Sequence, residues 1–340
     1  MRVVLLAHEK FPDRAKTAVG VLRYGDHDVV AVLDRDTAGG STAEYLPDVS
    51  DVPIVESMAA VDDPVDALII GISPIGGALD PSWRDDIHGA IERGCDVISG
   101  LHAFLEDDEE IAALAAKHGV ELWDVRKPPA DLDVSEGIAD AVDATVVLTV
   151  GTECSVGKMT TTVELVEAAR ERGLDAAFIP TGQTGIMIEN WGHPIDRVIA
   201  DFAAGAVEDM VLERGNDHDY LFVEGQGSII HPAYSGVTAS ILHGSMPDAM
   251  VLCHHAGRET VHGYEDRTLP PLGTYVDLYE GLARPVFDSA VVAGSLNTNT
   301  LATDDAARAA VADYADEIGV PAADPVRFDA DPILDAVRSQ

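Results

Sequence analysis

Apolar runs too short to be helices recur through the first 125 residues, at 3–7, 29–33, 67–70, 96–99 and 120–123. Between them, hydrophobic positions repeat with helical spacing near 16–24, 83–93 and 106–118. This alternation predicts a parallel sheet with helical crossovers. The rhythm resumes after a break. Strands are expected at 144–150, 176–180, 220–223, 249–254 and 291–293, and helices at 159–172, 195–213, 304–318 and 331–338. The break, 126–143, carries Pro128, Pro129 and an acidic, Ala-rich stretch, and reads as a connection. The expected fold class is therefore α/β. A Rossmann-like parallel-sheet domain with its connecting segment (1–143) precedes a P-loop NTPase-like α/β domain (144–340).

In an open parallel sheet the loops at the carboxyl ends of the strands build the ligand crevice. Three such loops in the first half, GISPIGG (71–77), GLH (100–102) and DVRKPP (124–129), should share one rim. The glycine spacing of GISPIGG is not that of a dinucleotide fingerprint and no helix opens on it directly, so a Rossmann-like shape without a bound dinucleotide is expected.

The second half is organised around ATVVLTVGTECSVGKMTTTVELVEAARERG (144–173). A buried strand runs into a glycine-bounded loop, then Lys158, then a helix with Met159, Val163, Val166 and Ala169 on one face and Gly173 as its stop. That order makes a phosphate cradle: free amides at the helix start face an anion, the helix dipole favours it, and Lys158 adds a cation. The expected cradle residues are Gly151, Thr152, Glu153, Cys154, Ser155, Val156, Gly157, Lys158, Met159 and Thr160. The usual P-loop spacing is G-x4-G-K-[ST]; here it is G-x5-G-K, with Met159 where a metal-binding hydroxyl belongs and Thr160 offering one a residue later.

Charge narrows the partners. Sixty acidic against 22 basic residues give a net charge of −38, with lysine only at 10, 16, 117, 127 and 158. So acidic a shell resembles adaptation to a salt-rich cytosol that screens self-repulsion. With no basic patch to displace counterions, nucleic acid and anionic membrane are not expected partners. Cys95, Cys154 and Cys253 form neither a disulfide framework nor a zinc spacing, and no run is long enough for a membrane span, so a reducing cytoplasm is the expected location. A homo-oligomer is expected.

Several residues in the second half could carry chemistry. Glu224 closes a strand and opens EGQGS (224–228), where a nucleotide-binding fold keeps an acid for a metal or a water; the alternative is a structural carboxylate. Asp201 is either a second acid or a solvated helix residue. Cys154, near a helix start and Lys158, would have its thiol pKa lowered there, as a nucleophile needs; otherwise it is a small loop residue. His231, His254 and His255 are candidate bases or hydrogen-bonding loop residues. Thr181, Gln183 and Thr184, in the TGQTG loop (181–185), and the cations Arg126 and Arg258 at strand ends are candidates for holding a substrate carboxylate or phosphate.

Two resemblances bear on these residues. GTECSVGK and VEGQGS are similar to the paired motifs of dethiobiotin synthetase. More closely, AKTAVGVLRYG (15–25), GISPIGG, SGLHAFL (99–105), DVRKPP, GTECSVGKMTT (151–161), PTGQTG (180–185), VEGQGS (223–228) and SLNT (295–298) resemble a two-domain P-loop family, formerly a domain of unknown function. Its characterised members are DgcN-type D-glutamate N-acetyltransferases. This resemblance implies acetyl transfer from acetyl-CoA to the amine of an acidic amino acid, with the CoA phosphates in the cradle. Glu224 or His231 would be the base, beside Lys158. The dethiobiotin synthetase resemblance implies instead an ATP- and Mg²⁺-dependent kinase or ligase acting on a small carboxylate, with Thr160, Asp201 and Glu224 at the metal.

Overall fold

The computed structural model describes every residue of 1–340 except Ser73 and Ile75. Those two, within the expected GISPIGG loop, lie outside the described residues. The chain divides into two compact units, one of residues 1–128 and 183–197, the other of 129–182 and 198–340.

The first unit follows the alternation read from the sequence: β1 (Arg2–Leu6), α1 (Lys16–Tyr24), β2 (Asp28–Leu33), β3 (Ile54–Val55), β4 (Ala67–Ile70), α2 (Arg84–Glu92), β5 (Asp96–Ser99), α3 (Glu109–His118) and β6 (Leu122–Asp124). All pairings are parallel, in the order β3-β2-β1-β4-β5-β6. This is the doubly wound order that places a switch point between β1 and β4. The central strands are apolar throughout because helices cover both faces of such a sheet; β4 is buried along its whole length. Local signals set the helix ends. Asp108 caps α3 by accepting the Ile111 amide at 3.2 Å, and Gly119, at φ 68°, ends it in the left-handed conformation.

The second unit holds β7 (Thr145–Gly151), α4 (Lys158–Glu171) and β8 (Ala176–Ile179). After an excursion through α5 (Gln183–Glu189), which clusters with the first unit, it continues with α6 (Ala200–Arg214), β9 (Tyr220–Val223), α7 (Ser235–Ser245) and β10 (Ala249–His255). A hairpin of β11 (Thr260–Val261) and β12 (Tyr264–Thr268) follows, then α8 (Leu272–Ala283), β13 (Ala290–Asn297), α9 (Asp304–Ile318), β14 (Ala322–Ala323) and α10 (Asp331–Val337). The large sheet is parallel, in the order β14-β13-β10-β7-β9-β8. The cradle strand β7 is thus central, and the loops leaving β7, β9, β10 and β13 emerge at one edge.

Two expectations change here. TGQTG is not wholly a loop: from Gln183 it is helical, because Thr184 through Ile188 are buried and packing outweighs weak helix propensity. The helix expected over 195–213 begins only at Ala200. Among the described residues, no helix is long and apolar enough to cross a membrane.

Candidate active site

The loop from β7 to α4 has the geometry of an anion nest. Ser155 (φ 55°) and Gly157 (φ 105°) adopt left-handed conformations that turn successive amides toward one concavity. The first-turn amides of α4 have no partners within the helix. Lys158 is 6% exposed, and its ammonium donates to the carbonyls of Glu153 (2.9 Å) and Gly227 (2.7 Å), and so ties the cradle to the loop after β9. Met159 is buried at 5% exposure, an apolar side chain at the usual hydroxyl position. Thr161 and Thr162 serve the scaffold: Thr161 Oγ1 pairs with Ser295 Oγ at 2.8 Å, and Thr162 Oγ1 with Thr149 Oγ1 at 2.9 Å. Thr160 remains half-buried.

The loop's origin is clamped by residues with no local sequence signal. Tyr279, fully buried in α8, donates its hydroxyl to the Gly151 carbonyl at 2.7 Å and accepts the Ile229 amide at 3.2 Å. Burial keeps the phenol protonated: desolvation pushes its pKa above the ordinary range, although the hydrogen bonds with Ile229 and Gly151 draw it down. Ser228 Oγ donates to the Thr152 carbonyl at 3.0 Å. Glycine at 225 is obligatory, since a Cβ there would lie 1.7 Å from the Thr149 carbonyl oxygen.

Glu224 stands at the carboxyl end of β9, beside the cradle strand. Its Oε2 accepts the amides of Thr181 and Gly182, both at 3.1 Å, which orients the carboxylate. Thr181 is drawn in further by donating its hydroxyl to the Glu224 carbonyl at 2.7 Å. Glu153 is 1% exposed; its Oε1 accepts the Cys154 amide at 2.5 Å and its Oε2 the His262 amide at 2.7 Å, so it fastens the cradle to the β11–β12 hairpin. His231 braces the same hairpin. Its Nδ1 accepts the Ala233 amide at 3.1 Å, leaving Nε2 as the protonated nitrogen, which donates to the His262 carbonyl at 3.1 Å. With both nitrogens engaged, His231 takes a substrate proton only if one of these bonds opens.

Cys154 corrects an expectation. Lys158 and Arg258 do draw its pKa down, but burial outweighs them, Glu153 opposes them, and the thiol is pushed up to about 11. It is a neutral thiol at physiological pH and is not an activated nucleophile in this state. The residues expected at a metal differ in burial: Glu224 is buried and Thr160 half-buried. Asp201 is exposed in the first turn of α6. The one grouping of three His, Cys, Asp or Glu side chains close enough to share an ion, among the described residues, is Glu153, Cys154 and His231. The Glu153 and His231 atoms are already committed to hydrogen bonds, as given above.

Arg126, Gln183 and Thr184 belong to the first unit. Arg126 Nε donates to the Gly100 carbonyl at 2.7 Å and its guanidinium pairs with Asp196, while Thr184 Oγ1 bonds Thr17 Oγ1 at 2.8 Å. Arg258 is with the cradle in the second unit, in the HHAGR loop leaving β10.

His254, at the end of β10, shares a 2.7 Å hydrogen bond between its Nδ1 and Thr152 Oγ1. Burial, with His255 and Arg258 adding to it, lowers its pKa from 6.5 to about 4. The unfolded chain takes up this proton near pH 6.5, whereas the folded chain refuses it until about pH 4. The resulting stability is fully present above pH 6.5 and is lost as the pH falls toward 4, a difference of about 3 kcal/mol. Urea unfolding between pH 4 and 7 is expected to show that much less acid sensitivity in His254→Gln than in the parent. Parallel curves would contradict the assignment.

Two family models match the chain: a P-loop domain described as a domain of unknown function, DUF1611, over residues 133–334, and a Rossmann-like domain, DUF1611_N, over 35–128. A D-glutamate N-acetyltransferase from Tritonibacter scottomollicae is 35% identical over 326 residues, 96% of this chain and 94% of its own length. Another, from a Pseudoalteromonas species, is 37% identical over 267 residues, 78% of this chain and 79% of its own. The crystal structure of a DUF1611 family protein from Anabaena variabilis is similar with a TM-score of 0.94 at 41% identity, covering 100% of this chain and 99% of that one.

Proposed function

The chain belongs to the DUF1611 family, and from that premise we propose that it is an N-acetyltransferase that moves an acetyl group from acetyl-CoA to the amine of D-glutamate. The names of the curated relatives support the reaction and the amino acid. The observation that carries acetyl-CoA as donor is the combination of an anion nest and Lys158 with a buried Met159. Such a cradle is equipped to grip the phosphates of CoA and offers an apolar side chain where a nucleotide-bound Mg²⁺ would look for a hydroxyl.

In this reading the α-ammonium of D-glutamate gives a proton to the Glu224 carboxylate, which the Thr181 and Gly182 amides hold in place. The freed nitrogen lone pair attacks the thioester carbonyl; a C–N bond forms, backbone amides of the glycine loops meet the oxyanion, and the C–S bond breaks. The CoA thiolate leaves and takes up a proton, so the products are N-acetyl-D-glutamate and CoA. The test is thiol release from acetyl-CoA with D-glutamate, L-glutamate and a panel of other amino acids. Release confined to acidic amino acids, with D-glutamate foremost, is the expected result; no release with any amine would refute the proposal.

A further inference from the structure

An acidic amino acid presents two carboxylates to a protein of net charge −38, so its site needs a cation not already spent on a neighbouring acid. Most of the arginines that the fold buries or half-buries are spent: Arg84 on Asp108 and Glu110, Arg172 on Asp331 and Asp335, Arg327 on Asp304, Arg126 on Asp196. Lys158 is directed at two carbonyls of its own site. Arg258 differs. It is half-buried, and among the described residues its guanidinium has no hydrogen bond, ion pair or ring contact; only its amide is used, donating to the His255 carbonyl at 3.0 Å.

The loop that presents Arg258 is fixed at both flanks. The Thr152 amide of the cradle donates to the Cys253 carbonyl at 3.0 Å, Thr152 Oγ1 bonds His254, and the Ala256 amide donates to the Asn297 carbonyl at 3.0 Å. β10 and β7 run in register here, Cys253 opposite Gly151, so Arg258 follows the strand next to the cradle strand. Its charge reaches the Cys154 thiol inside the cradle and the His254 ring. A guanidinium held near a phosphate nest without a partner of its own has a planar fork suited to bidentate contact with a carboxylate.

We propose that Arg258 is the specificity residue that binds the side-chain carboxylate of the acidic amino acid, leaving the phosphates of the donor to the loop amides and Lys158. The inference rests on the acetyltransferase reading for the identity of the substrate. A phosphate of CoA is the other anion a guanidinium here would attract, and the two are separable by kinetics.

Arg258→Gln and Arg258→Lys make the test, and neither removes a side-chain contact of the fold. With Arg258→Gln, KM for D-glutamate is expected to rise roughly 10- to 100-fold, the scale of one charge-assisted contact. KM for acetyl-CoA should stay within about 3-fold. The preference for D-glutamate over D-glutamine should largely disappear, because the amide substrate never used the charge. Arg258→Lys should recover part of the loss. An unchanged KM for D-glutamate, or a rise carried by acetyl-CoA instead, would overturn the assignment. Calorimetry with glutarate in the presence of saturating CoA gives a readout without turnover: binding is expected to the parent, and at least 10-fold more weakly to Arg258→Gln. Equal affinity would sink the site. Glutarate binding that depends on Arg258 in a protein that acetylates no amino acid would keep the carboxylate site and dismiss the acetyltransferase reading.

Discussion

Lys158→Ala is expected to weaken CoA binding roughly 10- to 100-fold, or about 1.5–3 kcal/mol, while the protein remains folded. The residue is almost fully buried and its ammonium donates to the carbonyls of Glu153 and Gly227. It therefore both supplies the cradle's positive charge and draws the loop after β9 against it. The folded core does not depend on it, since Tyr279 and Ser228 hold the loop's origin independently. Calorimetry with CoA and a thermal melt check both halves. Full CoA affinity in the variant would remove the cradle from the account, and a collapsed melt would show Lys158 to be a structural pin.

The larger effect belongs to Glu224→Gln, for which turnover is expected to fall by about 10²- to 10⁴-fold with acetyl-CoA affinity preserved. The amide keeps the shape and can still accept the Thr181 and Gly182 amides through its oxygen, but it cannot take the ammonium proton. Raising the pH should restore part of the rate, because the amine then arrives with fewer protons to lose. Added Mg²⁺ should restore none. A variant whose defect is loss of ligand affinity, or whose rate returns with Mg²⁺, would identify Glu224 as a metal ligand.

The parts of the molecule legible in the sequence are those in which local pattern and tertiary environment agree. β4, β5 and β9 are apolar runs flanked by turn residues, and each matches the span expected for it; β7 runs one residue past its expected end, to Gly151. α4 follows its loop as the order strand, glycines, Lys158 and helix requires. The two-residue strands β3 and β14 are too short for a pattern, and the β11–β12 hairpin carries YEDRT, wholly exposed on β12, with no apolar alternation to announce it. α7, SGVTASILHGS, is rich in small residues, and α8, LGTYVDLYEGLA, carries two glycines, so neither announces a helix in the sequence. The site shows the same division. The cradle and Glu224 follow from residue order, but Tyr279 reaches Gly151 from 128 residues away, and only the folded chain shows that. The sequence shows Cys154 only beside Lys158 and the helix start, which lower a thiol pKa; desolvation, which depends on the whole fold, reverses the sign. In the sequence Arg126 is a cation at a strand end with no evident partner; in the fold Asp196, 70 residues on, pairs with it.

The central claim is that this P-loop serves acyl rather than phosphoryl transfer, and one incubation tests it. The protein is given D-glutamate with acetyl-CoA, and separately with ATP and Mg²⁺, while free thiol, ADP and the mass of the amino-acid product are followed. The account predicts one thiol per molecule of N-acetyl-D-glutamate and no ADP. ADP formed only when Mg²⁺ and the small carboxylate are both present, without thiol release from acetyl-CoA, would contradict it.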